Sequence, residues 1–175
     1  TGAAINVSGT ANTADIYIGG YINTVSPYWL NGKIDDISIY SGALSDSAIF
    51  NTYVNDMKKP GSGNGLLFDN TKSQYIDVGS GWVPESSFTF ETWVKRTSTA
   101  VTDAQVQLFI GSLNDNGWGV GIQQASGTNR INLTQIGTSN VLSTSSITDT
   151  LWHHVAETFD ATISQAVFYI DGVAD

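Results

Sequence analysis

Apolar and polar positions alternate along most of this chain, in short runs that rarely exceed eight residues. Strict alternation is the mark of a half-buried strand, because successive side chains leave a strand on opposite faces. Such runs stand at 4–9 (AINVSG), 14–20 (ADIYIGG), 32–42 (GKIDDISIYSG), 65–70 (GLLFDN) and 74–79 (QYIDVG). Six more follow at 87–96 (SFTFETWVKR), 105–112 (QVQLFIGS), 117–124 (GWGVGIQQ), 130–137 (RINLTQIG), 152–160 (WHHVAETFD) and 166–172 (AVFYIDG). In SFTFETWV the pattern puts Phe88, Phe90, Thr92 and Val94 on one face and Thr89, Glu91 and Trp93 on the other. Turn signals separate the runs: Asn-Gly at 31 and 64, NDNG at 114, SGTN at 126 and Asp-Gly at 171.

One segment changes period. In ALSDSAIFNTYVND, Ser45 is placed to cap a helix, Asp46 falls in its first turn, and Ile49 and Tyr53 lie four apart on one face. The MKKPGSGNG stretch after it has the composition of a linker. Eleven short strands and one short helix predict an all-β, antiparallel two-sheet sandwich rather than an α/β enzyme.

Composition narrows the functions. The chain has 175 residues, 41% of them hydrophobic, enough for one domain with a sizeable core. Seven Lys and Arg against 16 Asp and Glu give a formal charge of −9, and the basic residues form no stripe. Nucleic acid binding needs such a stripe and is excluded. Cysteine is absent, which rules out disulfides and thiolate chemistry. No apolar run approaches membrane-spanning length, so membrane insertion is not expected.

Three stretches together resemble the laminin-G-like jelly-roll domains of the concanavalin A-like lectin/glucanase superfamily. GKIDDISIYSGALSDSAI is similar to their closing strand and helix. GLLFDNTKSQYIDVGSG with SFTFETWVKR is similar to their opening, and LWHHVAETFDATISQAVFYIDGVAD to their middle. The order differs from the family's: closing elements over 1–55, a linker over 56–65, opening and middle strands over 66–175. The chain therefore reads as one laminin-G-like sandwich over 1–175, either circularly permuted or cut out of phase from a tandem array. The missing initiator Met agrees with a piece of a longer, repeat-containing protein. A third explanation is strand exchange between consecutive copies.

The resemblance implies a structural Ca2+, with Asp35 as first ligand, Asp36 beside it and Asp69 or its neighbours opposite. Calcium needs six to eight oxygens, many from carbonyls and water, so few acids suffice. The alternative is exposed carboxylates on an edge strand. Tyr28 and Trp29, in the loop sequence VSPYWLNGK, are the best ligand-facing pair, with Trp82 a second candidate, because sugars stack their C–H faces on aromatic rings. The competing role is a large ring plugging the sandwich edge. Trp93, Trp118 and Trp152 read as core. His153 and His154 are adjacent on a strand, point to opposite faces and cannot share a metal. Asn114, Asp115 and Asn116 read as a hairpin turn, not a calcium loop. No catalytic residue is assigned: the paired same-face acids of a retaining glycosidase are missing, and Glu85, Glu91 and Glu157 are isolated.

These features predict a non-catalytic, extracellular, cell-surface or virion-surface module that binds a glycan or another surface macromolecule. The alternative is a structural subunit of a fibre, filament or virion, joined to neighbouring copies by head-to-tail strand exchange. A polysaccharide hydrolase is the third option.

Overall fold

The structure, a computed structural model, describes residues 3–4, 15–21, 28–56, 65–80, 86–100, 106–112, 118–123, 128–135 and 139–175. Among the described residues, thirteen strands and one α-helix follow in chain order: β1 (Ala3–Ala4), β2 (Ile16–Ile18), β3 (Gly32–Tyr40), α1 (Asp46–Asp56), β4 (Leu66–Phe68), β5 (Ile76–Gly79) and β6 (Phe88–Arg96). Then come β7 (Val106–Ser112), β8 (Trp118–Gln123), β9 (Arg130–Gln135), β10 (Ser139–Ser146), β11 (Trp152–Asp160), β12 (Gln165–Ile170) and β13 (Val173–Ala174). All pairings are antiparallel. One sheet runs β1-β12-β11-β6-β3-β4, with β13 also on β12, and the other runs β10-β9-β8-β7-β2-β5.

The two inner faces meet in one core. Phe88, Phe90 and Val94 of β6 pack with Val155 and Phe159 of β11 against Phe109 and Ile110 of β7, Val120 and Ile122 of β8, and Ile131 and Leu133 of β9. Burying a Phe or Ile side chain contributes about 1.5–3 kcal/mol. The β6 alternation is as the pattern predicts: Phe90 and Val94 face the core, while Trp93 and Glu91 lie on the outer face under α1. The helix begins where expected. Ser45 caps it through an Ala48 N–H to Ser45 Oγ bond of 3.3 Å, and Ile49 is buried on Ala156 and Tyr169. Tyr53 stacks on Trp93 at 5.8 Å.

The strands that come first in the chain are built into the sheets of the later ones. β3 lies between β6 and β4, and β2 between β7 and β5. β13 and β1 take successive stretches of the same edge of β12, at Tyr169–Ile170 and at Gln165–Ala166.

At four places the structure departs from the sequence pattern or adds to it. Asn31-Gly32 is no hairpin turn: Gly32 opens β3, and a Cβ there would come 2.4 Å from the Lys95 carbonyl oxygen, so the glycine serves close strand approach. The Ser- and Thr-rich segment 139–146 forms β10, an edge strand on β9, although its pattern is too polar to predict one. β3 is interrupted by a bulge between Asp35 and Ser38, with Asp36 at φ 47°. Trp152 is half-buried on the outer face beside Lys95, not in the core.

Candidate functional site: an aromatic ladder at the open edge

Residues 19–21 and 28–30 fold against each other. Leu30 N–H donates to Gly19 O (2.9 Å) and Tyr28 N–H to Tyr21 O (3.4 Å). This sets Trp29 over Gly20, where a Cβ would come 2.2 Å from the Trp29 ring; only glycine leaves room for the indole. On the other side Tyr17 of β2 pairs with Asp77 of β5, which brings Tyr75 alongside.

Five rings result, each in contact with the next. Tyr28 stacks on Tyr21 at 6.4 Å, Tyr21 meets Tyr17 at 5.8 Å, Tyr17 meets the edge of Tyr75 at 5.4 Å, and Tyr75 stacks on Trp29 at 6.0 Å. Leu108 lies beneath the tyrosines. Tyr21 is buried and anchors the row; Tyr17, Tyr28 and Trp29 are half-buried and Tyr75 is exposed. Burial, with the carboxylates of Asp77 and Asp15 nearby, raises the Tyr17 hydroxyl above 10.0 and keeps it a neutral hydrogen-bond donor.

Tyr75 also borders a cleft of about 350 Å3 between the two open sheet edges, walled by Leu66, Leu67 and Phe68 on one side and by Gln74 and Ile76 on the other. Tyr28 and Trp29, the predicted pair, thus belong to one surface. Tyr17, Tyr21 and Tyr75 were missed. Tyr17 lies in β2, Tyr21 just after it and Tyr75 just before β5, and the pairing of β2 with β5 brings Tyr75 to the other two. Trp82 lies outside the described residues, as do Glu85 and the Asn114–Asn116 turn.

The three candidate calcium ligands do not converge. Asp69 follows Phe68, which pairs with Gly32, whereas Asp35 sits three residues further along β3 against Gly65. Asp35 Oδ1 accepts the Asp36 N–H at 3.0 Å. Asp69 caps a short 3-10 turn: Oδ1 accepts from Thr71 N–H and O–H (3.0 and 2.6 Å), and Oδ2 lies 3.1 Å from Lys72 Nζ. Its Thr71 bonds, then Lys72, hold its pKa below the usual carboxylate value. Both oxygens of Asp69 are committed, so these residues do not fit a shared calcium site. Among the described residues no three His, Cys, Asp or Glu side chains group as a metal site.

The buried ionisable groups serve other ends. Glu91 and Glu157 lie on opposite faces of the first sheet, so they cannot flank one bond. Glu91 accepts from Tyr40 Oη at 2.7 Å, with His154 Nε2 3.6 Å from its other oxygen, beside the ring of Tyr53. Glu157 faces inward with Phe90, fully buried, and burial pushes its carboxyl well above the usual range. The histidines meet different partners, as their alternation predicts. His153 Nδ1 and Nε2 lie 2.9 Å from Asp171 and Asp149. The Asp171 bond, reinforced by Asp149 against the cost of burial, raises His153 to about 9.

A family model described as the concanavalin A-like lectin/glucanases superfamily, of laminin G type, matches residues 69–175, more than half of the chain. Comparison with curated proteins and with solved structures gives no match. Domains of this family are in general carbohydrate- or ligand-binding modules and are often extracellular. Among the described residues no helix is long and apolar enough to cross a membrane. From the match over β5 to β13, and from the two stacked antiparallel sheets that it shares with the strands before it, this chain belongs to the laminin G-like domains of the concanavalin A-like lectin/glucanase superfamily.

Proposed function

We propose that the domain is a non-catalytic glycan-binding module of an exterior surface, with the ladder of Tyr28, Tyr21, Tyr17, Tyr75 and Trp29 as its ligand platform. One observation carries this reading: five aromatic rings stand in unbroken contact, and Tyr75 of that row borders an open cleft. Rings that already brace one another lose little entropy on binding, and their faces match the C–H faces of sugars. The separation of Glu91 from Glu157, each buried away from the cleft, supports binding without turnover. The test is a glycan and polysaccharide array probed with wild type, Trp29→Ala and Tyr75→Ala. Specific binding that falls roughly 5- to 30-fold in each variant is expected, since loss of one stacking ring costs about 1–2 kcal/mol. Binding that both variants keep would place the ligand elsewhere.

A second reading has its own observation. The outer edge of β12 takes β13 and β1 end to end, each through two residue pairs. Exchange of either short strand with the same strand of a neighbouring copy would join subunits head to tail. Light scattering across a hundredfold concentration range tests it: a mass that stays monomeric throughout removes the reading.

A further inference from the structure

Three of the seven basic residues of this acidic chain meet at one place. Lys33, Lys95 and Arg96 line a cleft of about 250 Å3 with Leu67, Thr97 and Thr150. Lys33 and Lys95 are direct partners in the β3–β6 register, both on the outer face, beyond the part that α1 covers. Like charges placed opposite each other weaken a sheet. Among the described residues neither ammonium has a carboxylate within ion-pair distance; the one lysine so paired is Lys72. Arg96 turns inward, donating to Asn129 Oδ1 at 2.9 Å and to the Ile147 carbonyl at 3.3 Å, so the two lysines carry the cleft's open positive charge.

Flat apolar walls stand beside the lysines. Trp152 is next to Lys95 across the β6–β11 ladder, and its ring reaches Gly65, where a Cβ would lie 3.4 Å from the indole. Leu67, 63% exposed, pairs with Lys33 on the other flank. Leu67 also walls the 350 Å3 cleft beside Tyr75, so the lysine cleft and the aromatic ladder adjoin at this residue.

We infer that the Lys33–Lys95 cleft binds an acidic sugar unit, its carboxylate or sulfate between the two ammonium groups and its ring against Trp152 and Leu67. This inference rests on the glycan reading and narrows it: the ligand is an acidic polysaccharide, with one charged unit at the lysines and further units along the aromatic row. The cleft volume is below the 300–1,000 Å3 usual for larger ligands and suits a single ring. An anion there would also relieve the repulsion between the lysines. With a net charge of −9 the protein repels polyanions at long range, so selectivity comes from this local pair.

The test compares polygalacturonate with its carboxyl-reduced form, and dextran sulfate with dextran, by titration calorimetry at low salt. Wild type should bind at least one of the acidic polymers about tenfold or more tighter than its neutral partner, the scale of a charge-assisted hydrogen bond; which one identifies carboxylate or sulfate. Lys33→Gln/Lys95→Gln should abolish the preference and leave neutral binding intact, and Lys33→Arg/Lys95→Arg should keep it. The Gln pair should melt no lower than wild type, because it removes a repulsion. Acidic and neutral polymers binding alike, or a preference that survives the Gln pair, overturns the acidic-sugar site and leaves the glycan reading standing. Silence from all four polymers overturns both. Equal binding of poly-L-glutamate overturns the sugar in favour of an acidic peptide.

Discussion

The clamp on His153 makes this protein's stability depend on alkaline pH in a calculable way. Both ring nitrogens lie 2.9 Å from carboxylates, one on Asp171 in the β12–β13 turn and one on Asp149 before β11. Two acceptors require two N–H donors, so the folded state holds the imidazolium. Its pKa is raised from 6.5 to about 9. A folded value above the unfolded one means that the stabilisation is complete below about pH 6.5 and lost as the pH rises through about 9. A rise of roughly 2.5 pH units corresponds to about 3.4 kcal/mol at most. His153 is only 16% exposed, but Asp149 and Asp171 are 49% and 37% exposed, and water screens them. A working value is therefore about 1–2 kcal/mol. At this chain length that lowers Tm by roughly 2–8 °C. The assay is thermal melting at pH 6 and pH 9.5 for wild type and His153→Gln, which cannot ionise. Wild type should lose several degrees more than the variant over that interval. Parallel losses in the two proteins would refute the reasoning, because the clamp would then contribute nothing that depends on the proton.

Other perturbations test the core and the turn. Glu157 is fully buried with neither carboxyl oxygen hydrogen-bonded, so Glu157→Leu should raise Tm by several degrees. Because its folded pKa is raised, wild type should also lose stability as the pH rises from about 4.5, where the unfolded carboxyl ionises. The leucine variant should lack that slope, and a lower-melting variant would show that the carboxyl has a partner. Gly172 sits at φ 75° with the Tyr53 ring 2.7 Å from a Cβ placed there, so Gly172→Ala should cost about 1–3 kcal/mol in denaturant unfolding. Wild-type stability in that variant would mean that α1 is not packed on the turn.

Local pattern carried much of the architecture. The two faces of β6, the Ser45 cap and the Ile49–Tyr53 face of α1 were all legible, because each depends on residues within four positions of one another and on fixed strand and helix periods. The Asp171-Gly172 turn was legible for the same reason: both residues take positive φ, at 51° and 75°, as a tight hairpin turn demands. Neighbouring strands alter such local signals. Asn31-Gly32 has the letters of a turn, yet its glycine answers to the backbone of Lys95, 63 residues away in the chain. β10 is mostly Ser and Thr because it lies at a sheet edge, where alternation need not be strongly apolar. Trp152 looked like core because a large apolar ring in a strand does not reveal what covers its face.

The functional surfaces depended still more on tertiary structure. Tyr28 and Trp29 stand out in the sequence as loop aromatics, but Tyr21 and Tyr17 join them through the fold of 19–21 on 28–30, and Tyr75 through the pairing of β2 with β5. Lys33 and Lys95 are two scattered lysines until β3 enters the sheet between β4 and β6 and places them side by side. The expected convergence of Asp35 with Asp69 failed by the same rule, since the β3–β4 register puts them at opposite ends of the pairing. By itself, then, the sequence determined most of the strands, the helix and the sandwich class, through short-range periodicity and family likeness. Which side chains share a face across strands was decided by antiparallel register, and register follows from how the two sheets bury their common core.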